Sequence, residues 1–170
     1  MSLSKLIQSA IKSKHLLTHP FYQSWTNGIL DNDTLQYYGI QYYNQEKNLP
    51  RYLSAIHSQV KDRNIRKIIL QNLYEEEGEE VSHADLWLDF AEGLGLKREE
   101  VENADMSKAT INLINNFLTS CKFSYASGLG AIFAYEYQVP EIAESKIDGL
   151  EKHYGVTSEK ALKFFKVHKE

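Results

Sequence analysis

Ile69, Leu73, Trp87 and Phe90 recur at helical spacing, and Glu76, Glu80 and His83 fill the intervening places of the same series. Every step along it is three or four residues, so all seven side chains share one helix face. A face carrying Trp and Phe belongs in a core, where carboxylates and imidazoles are costly unless paired or bound to a metal. A chain with this stretch must bury a helix and satisfy its charges inside the same fold. Glu75, Glu77 and Glu79 fall off the stripe and read as solvated acids.

The remaining chain reads as helix after helix. Leu6, Ile7, Ala10 and Ile11 mark a first helix over about residues 3–17, and Pro20 forces a break before a short second one ending near Gly28. Asp31 or Asp33 caps the next, with Gln36 three residues beyond Asp33. That helix carries Tyr37, Tyr38, Tyr42 and Tyr43, and Pro50 is expected to kink or divide it before Tyr52. After a polar break at residues 62–64, one helix is expected over about 65–92. A turn at residues 93–98 leads to a short helix over 99–103. Long helices follow over about 107–126 and from Gly128 to about Leu150, and a last one is capped by Thr157 or Ser158. No alternating strand pattern of useful length appears. The fold class is all-α, with about seven helices.

At 170 residues the chain fits one domain, 1–170. A net charge of −4 spread along it argues against a nucleic-acid footprint. No apolar run is long enough for a transmembrane helix, and the first residues lack the apolar core of a leader peptide. Cys121 stands alone, so no internal disulfide forms, which suits a reducing cytoplasm.

Two later features share the chemistry of the opening stretch. Glu136 is flanked by Leu129, Ile132, Phe133, Val139 and Ala143 at same-face spacings, which predicts burial. Pro140 removes the helical hydrogen bond to the Glu136 carbonyl, so the helix should distort at that glutamate. His168 shares a face with Ala161, Phe164 and Phe165. Buried Glu and His from separate helices are the ingredients of a di-metal carboxylate centre. Oxygen and imidazole donors without thiolate favour iron or manganese over structural zinc. A ferritin-like centre would use Glu80 with His83 and a second Glu-x-x-His pair, but Glu136 is followed by Val139 at that offset.

Four segments together carry a closer likeness: His19-Pro-Phe-Tyr22-Gln-Ser-Trp25; Pro50-Arg-Tyr-Leu-Ser-Ala-Ile-His57-Ser; Glu76 with His83, Asp85 and Trp87; and Tyr135-Glu136 with Gln138, Pro140 and Lys146. The series resembles the Chlamydia protein associating with death domains and its bacterial relatives, haem-oxygenase-like di-metal oxidases of the TenA/PqqC-like fold group. The resemblance implies a haem-oxygenase-like helical bundle, incomplete at its C-terminus, with a metal site from Glu76, His83, Glu136 and His168. In the family His168 would begin a His-x-x-x-Asp-x-x-His motif, so this chain supplies four of six implied ligands. Two metal ions, Fe/Fe or Fe/Mn, and dioxygen are implied, together with a reductant.

The implied function is synthesis of 4-aminobenzoate for folate, with the enzyme converting one of its own tyrosines. Tyr22 matches the sacrificed ring, Lys146 the amino donor, and Tyr135 a redox-active neighbour. A family aromatic is phenylalanine here, Phe164, so a phenol's role is lost there. Without the resemblance, plainer readings stand: Glu76 as a solvated acid, His83 as a core histidine, His168 as a helix-end histidine. Tyr22 and Tyr135 would be core aromatics, and Lys146 a surface lysine. His15, His57, His153 and Cys121 read as structural or exposed. A TenA-type enzyme with a nucleophilic cysteine, a PqqC-like oxidase of another pathway, and a module binding a host death-domain protein are the alternatives. A homodimer is the expected assembly.

Overall fold

Prolines and small polar caps cut this chain into its helices. The computed structural model describes residues 3–78 and 80–169, so the expected solvent-facing Glu79 lies outside the described residues. Helix α1, Leu3–Lys12, is shorter than the expected 3–17, and a 3-10 turn at Leu16–Thr18 follows it. Pro20 takes the first position of α2, Pro20–Thr26, where its missing N–H is not needed. Asp31 accepts from the Thr34 N–H at 2.8 Å to start α3, Asn32–Glu46. Helix α4 is Leu49–His57, and Asp62 caps α5, Arg63–Glu77. Ser82 and Asp85 form a capping box that opens α6, His83–Gly93. Short α7 is Arg98–Asn103; α8 is Lys108–Phe123, capped by Ser107. Ser124 caps α9, Tyr125–Glu136, which starts three residues earlier than expected from Gly128. Helix α10 is Val139–His153, and Ser158 caps α11, Glu159–Lys169, through the Ala161 N–H.

Three of the expected helices are each divided in two. Pro50 and Pro140 sit at the second position of α4 and α10, so the chain stops and restarts before each. The expected helix over 65–92 ends at Gly78 and restarts at His83. The Ser82-x-x-Asp85 box explains the restart. Gly78 does not bend a continuous helix: it stays in the right-handed region as the α5 C-cap, with the Tyr74 ring where a Cβ would be.

The divisions matter because the described residues form two apolar cores. One gathers Trp25, Leu35, Trp87, Phe90, Leu150, Phe164 and Phe165. The other gathers Leu49, Tyr52, Ile56, Ile69, Ile114, Cys121 and Ile132. Of each divided helix, one half serves the first core and the other half the second: α3 and α4, α6 and α5, α10 and α9. The breaks therefore lie where the chain crosses between cores. Trp87 is fully buried and its indole N–H donates to the Gly39 carbonyl at 2.7 Å, so its polar atom is satisfied. Truncating it to Ala would cost on the order of 3–5 kcal/mol. No helix among the described residues is long and apolar enough to cross a membrane.

Candidate metal centre

Each break carries an acid. Glu46 is the last residue of α3, Glu136 the last of α9, and Glu76 the last but one of α5. Helix C-termini carry the negative end of the backbone dipole. Three such ends and three carboxylates at the crossing between cores make a field that favours cations.

Across the α5–α6 break, Oε2 of Glu76 lies 3.1 Å from Nδ1 of His83, and both side chains are largely buried. The two atoms face each other without an aligned hydrogen bond, and among the described residues both lack a hydrogen-bond partner, as does Oε1 of Glu136. His83 in turn meets His168 edge to face, ring centroids 4.7 Å apart. Nδ1 of His168 lies 2.7 Å from the Phe164 carbonyl. A carbonyl can only accept, so Nδ1 carries the proton and Nε2 keeps a free lone pair, the arrangement that prepares an imidazole to bind metal. Glu80, the ferritin-like candidate, is exposed in the break and does not join the group.

Glu136 and His168 line one cavity with Tyr22, Tyr42, Glu46, Tyr135 and Lys146. Its free volume is about 20 Å³, near that of a single water. Lys146 is 3% exposed, so the plain reading of it as a surface lysine is corrected. Its amine donates to the Tyr38 hydroxyl and lies within 6 Å of six rings, among them Tyr22 at 5.6 Å and Tyr42 at 4.9 Å. Burial lowers its pKa to about 7, with Glu46 opposing that fall. On the other side of the cavity the Tyr42 and Tyr135 hydroxyls are hydrogen-bonded to each other, and Tyr135 reaches Glu46 Oε1 at 3.2 Å.

Burial raises the Tyr22 phenol to about 12 and holds Tyr38, Tyr42 and Tyr135 well above the ordinary range. Glu46 rises to about 8, from burial first and then the charges of Glu76 and Glu136; Glu136 rises to about 7 from burial and Glu76. Burial alone would lower His83, but Glu76 beside it, with Glu46 and Glu136, keeps it above its usual value. Burial lowers His168.

The seven residues named from the sequence thus meet around one place: Glu76, His83 and His168 in series, Glu136 and His168 on the cavity wall, Tyr22, Tyr135 and Lys146 around it. Among the described residues no three His, Cys, Asp or Glu side chains close on a single point tightly enough to hold an ion. The donor set fits iron nonetheless: the free Nε2 of His168, the unpartnered Nδ1 of His83 and buried carboxylate oxygens without partners among the described residues are what a cation would satisfy. Glu46, 3% exposed, was missed by the sequence reading. Its signal was present: like Glu136, it stands four residues before a proline. Cys121 is buried in the second core on α8, away from the cavity, and burial raises its pKa, which removes the nucleophilic-cysteine alternative.

Residues 36–170 match the model of a family described as iron-containing redox enzymes. The chain belongs to that family. Within it, a 4-aminobenzoate synthase of Chlamydia pneumoniae is 40% identical over 167 residues, covering 98% of this chain and 74% of that protein. A 4-aminobenzoate synthase of Nitrosomonas europaea is also 40% identical, over 95% of this chain and 70% of that one. The solved structure of a TenA homologue protein from P. horikoshii OT3 aligns with a TM-score of 0.73 at 20% identity, over 96% of this chain and 77% of that one. At that identity the likeness concerns the fold, which is the haem-oxygenase-like and TenA-like helical bundle expected from the sequence. The break region sets unpartnered carboxylate and imidazole atoms beside a small cavity.

Proposed function

We propose that this chain is a di-metal, dioxygen-dependent 4-aminobenzoate synthase that takes the aromatic ring from its own Tyr22 and the amine from Lys146. Glu76, His83, Glu136 and His168 would hold the metal, Fe/Fe or Fe/Mn, with an external reductant. When bound, the metal pair supplies the one-electron and dioxygen chemistry that phenol oxidation requires.

The observation that carries the reading is the cavity. About 20 Å³ of it is free, and a tyrosine ring and a lysine amine already lie there, the amine 5.6 Å from the ring centre. Proximity then replaces substrate binding. Lys146, with a pKa near 7, presents a large neutral fraction at neutral pH, and only a neutral amine has a lone pair to offer. The ring cage around it keeps water away. Tyr135, joined to Tyr42 and adjacent in sequence to Glu136, would pass an electron and proton between the metal centre and the cavity.

The test is to load the reduced chain with iron, admit dioxygen, measure 4-aminobenzoate, and examine the Tyr22 peptide by mass spectrometry. Product equivalent to the protein, with loss of the Tyr22 side chain, is expected. Tyr22→Phe should bind metal and give no product. Undiminished product from that variant would sink the sacrificial role.

A further inference from the structure

We propose that Glu46 is a further carboxylate donor of the metal centre, additional to Glu76, His83, Glu136 and His168. The proposal rests on the reading that the centre holds metal.

The chain writes one device twice. Glu46-Lys47-Asn48-Leu49-Pro50 and Glu136-Tyr137-Gln138-Val139-Pro140 share the order acid, any residue, amide, aliphatic, proline. In both, the acid is the last residue of a helix and the proline is second in the next one. The amide residue between takes nearly the same backbone, φ −98 and ψ −12 at Asn48, φ −94 and ψ −14 at Gln138. In both, its side-chain amide donates to the carbonyl four residues back, Asn48 to Asn44 at 2.6 Å and Gln138 to Ala134 at 2.9 Å. Neither amide side chain caps the following helix. The two carboxylates delivered this way line the same cavity. What the device does for Glu136 it does for Glu46.

Glu46 also lacks a charge partner. Among the described residues no Lys, Arg or His lies within ion-pair distance of it, and the donors near it are the phenols of Tyr135 and Tyr42. A carboxylate 3% exposed, with neutral donors only and two other acids close enough to repel it, is costly to hold ionised. A cation in the centre removes that cost for all three acids at once. A purely structural role would be served as well by glutamine, which keeps the bond from Tyr135 without the repulsion.

The experiment is an anaerobic titration of the metal-free full chain with ferrous iron, and with manganese(II) followed by electron paramagnetic resonance. Wild type, Glu46→Gln, Glu46→Asp and the surface control Glu102→Gln are compared. Glu46→Gln should weaken metal binding by about tenfold or more and alter the manganese spectrum, while thermal unfolding without metal shows an intact fold. Glu46→Asp keeps the charge but withdraws the oxygens by one methylene, and should show the same loss if the glutamine variant fails to fold. Wild-type affinity and spectrum in a folded Glu46 variant would overturn the assignment and leave the metal centre standing. No metal bound by the wild type would overturn both.

Discussion

Glu76 and His83 stand seven residues apart, yet Oε2 of one lies 3.1 Å from Nδ1 of the other. On a continuous helix that separation rises about 10 Å. The contact exists because the chain stops at Gly78 and restarts under the Ser82 cap, which brings the first residue of α6 back against the end of α5. The same interruption that moves the chain from one core to the other makes the acid–imidazole pair.

Replacing Glu136 by Ala removes a buried carboxylate whose Oε1 has no partner among the described residues. Iron binding should fall by at least about tenfold, read by anaerobic titration. Because a like charge beside Glu76 and Glu46 is lost, the metal-free melting temperature should hold or rise. Full iron occupancy in this variant contradicts the assigned site.

Lys146→Met keeps the length of the side chain within its ring cage and deletes the amine. No 4-aminobenzoate should form, while iron still binds. Thermal stability should not fall, since the charged form of Lys146 is disfavoured by burial in the native state. Product at wild-type yield would rule out the lysine as amino donor.

The metal-free chain should lose stability as pH rises from about 5 to 7. Glu46 and Glu136, at about 8 and about 7, hold protons more tightly folded than unfolded, and His83 is shifted the same way. Their contribution is complete below the ordinary carboxylate range and drains away as pH climbs toward the folded values. His168 is lowered and opposes them, one group against three. Above pH 7 Lys146 acts in the opposite sense, gaining stability toward its unfolded value, and offsets what Glu46 still loses. Manganese(II) should reverse the slope between pH 5 and 7, because binding expels the protons. Melting curves with and without metal read both slopes; a metal-free melting temperature that rises with pH would refute the account.

Gly149→Ala tests how α2 is seated on α10. A Cβ there would lie 2.6 Å from the Trp25 indole, which is 1% exposed and donates to the Lys146 carbonyl at 3.3 Å. The ring has nowhere to go, so α2 must shift, at a cost of about 1–3 kcal/mol. Tyr22 rides on α2 and Lys146 on α10, so product yield should drop while iron affinity is retained. Equal loss of iron binding would show that the metal donors depend on α2, which their positions do not suggest.

Where proline or a capping residue set a boundary, the sequence was readable: Pro20, Asp31, Pro50 and Pro140 act as expected. Periodicity misled at residues 78–82. The stripe from Ile69 to Phe90 keeps its spacing across the gap, so it looked like one helix, although Ser82-x-x-Asp85 marked the restart. Glu46 escaped for a different reason. Asn44, Gln45 and Glu46 are three consecutive polar residues, and all three are buried. At the junction of two cores a helix has no solvent side, so one-sided apolar patterning cannot reveal what is inside. The offset to proline that singled out Glu136 was the better guide. The aromatic cage of Lys146 could not be read at all, because its rings come from α2, α3, α6 and α11.

The small size of the cavity bears on supply. With both proposed reactants tethered to the backbone and little free volume between them, a soluble precursor would not renew the site once it had reacted. Output would be counted in polypeptides made rather than in turnovers per second. A cell relying on this chain would set its 4-aminobenzoate level at the ribosome, and raising the concentration of any soluble precursor would change nothing.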